Sequence, residues 1–182
     1  MKFIESAIRS VDSMEILLVD GYNIIGDWVE LRELKKDKLV DARDRLIERL
    51  AEYQSYKGWR VIIIFDAHLV PGIEAKNMQH EVEVIFTRES ETADERIEKL
   101  ATSLNNRRDQ IYVATSDQTE QRVIFGKGAL RISARELEIE TEEIQRSISK
   151  KVKEIQEQHA FSKIHLSKEV AEIFEKWRRG LK

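Results

Sequence analysis

An α/β fold, with a central mostly parallel sheet flanked by helices, is predicted by three observations. Short β-branched apolar runs alternate with amphipathic stretches along the 182 residues. Most of the runs end at or close to an acidic residue, and a single proline leaves little room for linker-rich structure. Parallel neighbours need crossover connections, which the intervening helices supply. With 41% apolar residues the chain suits one domain with a sizeable core.

Residues 1–14 read as an N-terminal extension. Phe3, Ile4, Ala7, Ile8 and Val11 share one helical face, while Glu5, Arg9 and Asp12 break the continuous apolar centre that a secretory signal needs. A short added docking helix is therefore preferred to a targeting fragment, and Met14 is an alternative start. Residues 15–182 are expected to form a single domain that includes C-terminal helices.

Ile16 to Val19 is the first buried strand, followed by a loop at Asp20-Gly21-Tyr22-Asn23. Leu39, Ala42, Leu46, Leu50 and Tyr53 recur at helical spacing before Lys57-Gly58, so an amphipathic helix closed by a glycine is expected there. Val61 to Phe65 is the second strand and stops at Asp66. After a turn at Pro71-Gly72, the alternation from Glu81 to Phe86 predicts a third, less completely buried strand.

Thr92-Ala93-Asp94-Glu95 has the form of a capping box, with Ile97, Leu100, Ala101 and Leu104 as the buried stripe of the helix it opens. Ile111 to Ala114 is the fourth strand, ending at Thr115-Ser116-Asp117. A short helix at Val123 to Phe125 and a fifth strand at Leu130 to Ile132 follow. Ser133-Ala134-Arg135-Glu136 is a second capping box, opening a long charged helix that extends to about Gln158. A last helix runs from Ser167 to the stretch Trp177 to Gly180.

Composition excludes several functions. Cysteine is absent, which removes disulfides, thiolate nucleophiles and cysteine-ligated metal sites. No apolar run approaches the roughly 20 residues that span a bilayer. The formal charge of −3 is incompatible with a uniformly basic surface, so a polyanion must meet a local patch. The four histidines form no close zinc-binding pair, and no Walker loop, Gly-x-Gly-x-x-Gly turn or Gly-x-Ser-x-Gly elbow is present.

What remains is acidic. Parallel sheets place ligands outside the carboxyl ends of their strands, and Asp20, Asp66 and Asp117 all follow strands while Asp94 opens a helix after another. Carboxylates held together raise one another's pKa unless a cation lies between them. Mg²⁺ or Mn²⁺ suits such hard oxygen ligands, keeps several waters, and can activate water and brace a phosphate for in-line attack. Each acid alone also has an ordinary explanation as a cap or turn former. Asp66 can ligate metal, orient His68 or hold its loop; Asn23 can bond a phosphate or pin Asp20; Ser116 can bond a ligand or cap a helix.

Val19-Asp20-Gly21-Tyr22-Asn23, Phe65-Asp66-Ala67-His68, Thr92-Ala93-Asp94-Glu95 and Ala114-Thr115-Ser116-Asp117, in that order, resemble the YacP-like NYN family of PIN-like nucleases. The likeness extends from about Glu15 to Lys182, through Gly128-Ala129-Leu130-Arg131, Ser133 to Leu137 and Phe174 to Gly180. It implies a three-layer PIN-like fold and a metal-dependent endoribonuclease acting on messenger RNA in association with the ribosome. On that reading Asp20, Asp94 and Asp117 hold Mg²⁺ or Mn²⁺ with Asp66 in support, and hydrolysis leaves a 5′-phosphate and a 3′-hydroxyl. RNA rather than DNA is the expected partner, no membrane is involved, and the compartment is the bacterial cytoplasm or, alternatively, the plastid stroma.

Residues 1–130 hold 19 basic and 24 acidic residues, whereas residues 131–182 hold 12 and 10, so the later part is the better polyanion-facing surface. Arg122, Lys127, Arg131 and Arg135 follow the Asp117 strand end and, with Asn23, are the candidate RNA contacts. Lys176-Trp177-Arg178-Arg179 is a candidate contact to ribosomal RNA, or a solvated helix anchored by its tryptophan. The rival from another class is a non-catalytic RNA- or ribosome-binding module with a vestigial acidic site. A receiver-like signalling domain is disfavoured because this chain shows neither adjacent early acids nor a lysine after the fifth strand.

Overall fold

The computed structural model describes residues 13–66, 76–79, 81–105, 108–116, 128–162, 176 and 178. Six strands form one sheet: β1 (Glu15–Asp20), β2 (Arg60–Phe65), β3 (Lys76–Gln79), β4 (Val82–Phe86), β5 (Gln110–Ala114) and β6 (Leu130–Ile132). Their order is β3-β4-β2-β1-β5-β6, with every neighbouring pair parallel except the antiparallel edge pair β3 and β4. β1 is thus an inner strand, registered Leu18 to Ile62 on one side and Leu18 to Val113 on the other. The α/β architecture is the one expected, including the fifth parallel strand at Leu130–Ile132.

Five helices accompany the sheet among the described residues: α1 (Gly21–Asp27), α2 (Val29–Asp37), α3 (Leu39–Lys57), α4 (Ala93–Leu104) and α5 (Ala134–Ser162). Alternation along the strands divides the core. Ile16, Leu18, Ile62, Ile64, Ile85, Ile111 and Val113 meet Ile97 and Ala101 of α4 in one cluster. Leu17, Val19, Val61, Ile63 and Phe65 alternate with them and are also fully buried, as are Leu46, Leu50 and Tyr53 of α3. Each such side chain contributes ~1.5–3 kcal/mol on burial, so β1 is anchored firmly enough to hold a carboxylate at its end against an electrostatic cost.

The local signals acted as chemistry dictates. Gly58 ends α3 at φ 71°, donating its N–H to the Gln54 carbonyl at 2.8 Å. Both capping boxes form: Glu95 N donates to Thr92 Oγ1 at 3.2 Å and Thr92 N to Glu95 Oε2 at 3.3 Å, while Ser133 N donates to Glu136 Oε2 at 2.7 Å. Across α2, α3 and α5, the buried Arg49 guanidinium reaches Glu30 at 3.1 Å and Thr141 Oγ1 at 2.8 Å and lies 4.4 Å from the Trp28 ring.

The structure departs from the expectations at four points. The stretch after Asp20 is not a loop: α1 begins at Gly21, because the Asp20 carboxylate accepts the Asn23 N–H at 3.0 Å and caps a helix on the last strand residue. β4 is not less buried than the other strands, since Glu83 turns inward and pairs with Arg60 at 2.8 Å. β3 was not anticipated, and α5 continues past Gln158 to Ser162. The expected turn at Pro71-Gly72, the helix at Val123 to Phe125 and residues 1–12 lie outside the described residues. So does the last helix, except that Lys176 and Arg178 are helical.

The chain divides into two compact units, residues 1–144 and 145–182. The first contains the sheet, α1 to α4 and the start of α5. No helix among the described residues is long and apolar enough to cross a membrane.

Candidate active site

The carboxyl edge of the parallel strands gathers the acids. Asp20 is the last residue of β1, Asp66 follows β2, and Asp94 is the second residue of α4. Asp20 is buried, and its carboxyl is pushed up to about 6 by burial and by the charges of Asp94 and Asp66, against the opposing pull of the Asn23 N–H. Asp66 and Asp94 belong to the neighbouring strand end and helix start at the same edge. Among the described residues neither Asp20 nor Asp94 forms an ion pair with a lysine or arginine.

Close approach at this edge depends on Gly21. A Cβ there would run into the ring of Phe65, the residue before Asp66, so only glycine lets the first turn of α1 sit against the end of β2. Asn23, in that first turn, turns its side-chain oxygen to the other neighbour of β1: it accepts from Ser116 N at 2.7 Å and Ser116 Oγ at 2.5 Å. The bond fastens α1 to the chain leaving β5, one residue before Asp117. Asn23 therefore acts here as a brace between strand ends.

Asp117, Arg122 and Lys127 lie outside the described residues. Arg131, in β6, and Arg135, in the first turn of α5, are exposed. Glu95 is occupied by the capping box, whose hydrogen bonds account for it. Two residues that sequence reasoning did not single out also stand at this edge. Tyr22 packs against Phe65 with ring centroids 5.0 Å apart, and Arg43 donates to the Tyr22 hydroxyl at 3.3 Å. Tyr22 followed Asp20 in the motif, but nothing local in the chain points to Arg43, which arrives from α3.

The donor set suits a hard divalent ion: a buried aspartate with two acidic neighbours and no basic partner within the described residues. No three acidic or imidazole side chains among the described residues stand close enough together to enclose an ion. Such donors fit an ion that keeps several of its own waters. A cavity of about 450 Å³, lined by Met14, Gln54, Trp59, Arg60, Glu81 and Glu83 among others, opens instead at the amino ends of the strands. Its Gln54 amide is spent on Val61 N and the Glu81 carbonyl, and its Glu83 on Arg60, so its polar groups serve the fold.

Residues 17–179 match the YacP-like NYN domain. The chain belongs to the YacP-like NYN domain family. Family membership carries a nuclease-type, PIN-like fold, in agreement with the strand-end acids. YacP of Bacillus subtilis (strain 168) is 62% identical over 167 residues, spanning 92% of this chain and 98% of that protein. The crystal structure of Rae1 (YacP) from Bacillus subtilis superimposes with a TM-score of 0.73 at 62% identity, covering 92% of this chain and 96% of that one. A tryptophan-to-leucine variant of the same protein gives a TM-score of 0.71 at 58% identity, with the same coverage. This YacP-like NYN chain thus shares its fold with a solved bacterial relative over nearly its whole length.

Proposed function

We propose that this chain is a metal-dependent endoribonuclease that hydrolyses RNA phosphodiester bonds, acting on messenger RNA in association with the ribosome in a bacterial cytoplasm. The observation that carries the reading is the gathering of Asp20, Asp66 and Asp94 at one strand edge, with Asp20 buried near negative neighbours and, among the described residues, no basic side chain paired with it. Asp20, Asp94 and Asp117 would hold Mg²⁺ or Mn²⁺, with Asp66 supporting them. A bound divalent ion supplies charge neutralisation and activation of water for attack at phosphorus.

The chain's own residues do the rest. Capping fixes the Asp20 carboxylate at the start of α1, and Asn23 holds Ser116, at the end of the chain leaving β5, through two hydrogen bonds. Arg131 and Arg135, with Arg122 and Lys127, are the proposed phosphate contacts, and the basic balance after residue 130 is the proposed route to the ribosome. Purified protein incubated with RNA, with and without Mn²⁺ or Mg²⁺ and with ribosomes engaged on a message, tests the reading. Asp20→Asn and Asp94→Asn should each abolish cleavage and leave the fold intact. Wild-type cleavage by either variant, with contaminating nuclease excluded, overturns the assignment in favour of a binding module.

A further inference from the structure

Arg43 stands apart from the other well-placed arginines of the first unit. Arg45 and Arg49, on the same helix, both pair with Glu30, and Arg60 pairs with Glu83. Arg43 is half-buried, yet among the described residues no carboxylate pairs with it. Its partners are neutral: the Tyr22 hydroxyl at 3.3 Å and the Phe86 ring, whose centroid lies 5.5 Å from the guanidinium carbon. Neutral partners orient a guanidinium without cancelling its charge.

Its place in the fold is equally specific. α3 ends at Gly58 beside the amino end of β2, so its first turns, which carry Arg43, lie at the carboxyl edge of the sheet. Phe86 is the last residue of β4 and stacks at 5.4 Å on Phe65, the residue before Asp66. Tyr22 lies two residues after Asp20, in the first turn of α1, and packs on Phe65 with ring centroids 5.0 Å apart. Arg43 is therefore a fixed cation on the β2–β4 side of the acid cluster. A phosphodiester approaching three aspartates meets repulsion, and a guanidinium with most of its five N–H donors uncommitted among the described residues is the side chain that offsets it.

We propose that Arg43 is a phosphate-binding residue for single-stranded RNA, held in position by Tyr22 and Phe86 at the β2–β4 side of the acidic edge. This inference rests on the RNA reading above. It assigns to the start of α3 a substrate contact separate from the arginines near β6 and α5.

The test measures binding without cleavage. In an Asp20→Asn background, a labelled single-stranded oligoribonucleotide is titrated with full-length protein by fluorescence anisotropy across a range of KCl, with Arg43→Gln and Arg43→Lys added in turn. Arg43→Gln should weaken binding about ten-fold, the scale of one lost charge-assisted contact. It should also flatten the log–log salt dependence by roughly 0.7, the single-strand value for one phosphate. Arg43→Lys should lose part of the affinity and keep the slope, and it serves as the decisive variant if Arg43→Gln does not fold. Unchanged affinity and slope in Arg43→Gln, or a lowered melting temperature with an unchanged slope, overturns the proposal. An Asp20→Asn parent that binds no RNA overturns this inference together with the RNA reading. Binding that depends on Arg43 in a protein that never cuts RNA supports this inference and overturns only the nuclease.

Discussion

Asn23 and Ser116 are 93 residues apart in the chain, yet one side-chain oxygen of Asn23 accepts both the backbone and the hydroxyl hydrogen of Ser116. Asn23→Ala should remove both bonds, lowering stability by about 1–2 kcal/mol and reducing RNA cleavage further than that loss explains. Asn23→Asp keeps an acceptor and should retain most of the stability. Chemical denaturation of both variants beside a cleavage assay checks this, and equal stability of Asn23→Ala and wild type would contradict it.

The raised Asp20 carboxyl links the site to stability. Its folded pKa of about 6 lies above the ordinary carboxylate value, so the folded state favours the protonated form. The associated stability is fully present below pH 4 and is lost as pH rises through 6. In chelated buffer, Asp20→Asn should gain on wild type by about 2–3 kcal/mol between pH 4 and pH 7. Urea unfolding at several pH values measures the difference, and a gap that does not widen with pH counts against it.

A divalent ion should act in the opposite direction at neutral pH. Mg²⁺ or Mn²⁺ binding only the folded chain should raise the melting temperature in a concentration-dependent manner, with a blunted response in Asp20→Asn. A melting curve unmoved by millimolar metal, together with a flat calorimetric titration, would favour a vestigial site.

Gly21 predicts a steric effect. Gly21→Ala forces the new methyl into the Phe65 ring, which is fully buried and stacked on Phe86, so the ring has little room to move. A destabilisation of about 1–3 kcal/mol is expected, with a loss of cleavage at temperatures where the variant remains folded. Thermal melts and assays well below the transition distinguish the two effects.

Reversing the charges of Lys176, Arg178 and Arg179 should weaken ribosome or RNA association and leave the metal response intact. Salt dependence should flatten by roughly 0.7–0.9 in slope per lost phosphate contact. Ribosome sedimentation and a salt titration measure it, and unchanged values would move the docking surface to Arg122, Lys127, Arg131 and Arg135.

Features written in a few adjacent residues were legible in the chain. Two capping boxes, the glycine closing α3, and the apolar runs of β1, β2 and β5 each depend on local spacing, and all formed where that spacing places them. Features that depend on distant partners were not. Glu83 reads as a solvent-facing residue until Arg60 is known to reach it, and Arg43 reads as one of many helix-surface cations until Tyr22 and Phe86 are seen beneath it. The helical start at Gly21 is hidden for a different reason: a glycine after a strand reads as a turn, and of the roles open to Asp20, acid and cap, the structure uses the same carboxylate for both.

The inner position of β1 has a consequence for biosynthesis. This strand leaves the ribosome first, and β2 can cover one of its edges once α3 has been made, but the other edge waits for Gln110–Ala114. A nascent chain arrested before that point carries Asp20 and Asp66 on a sheet whose centre is still an exposed border, without Ser116 to secure Asn23. The acidic edge is thus completed late in translation, so a truncated product should be both inactive and prone to pairing with other chains through that open strand.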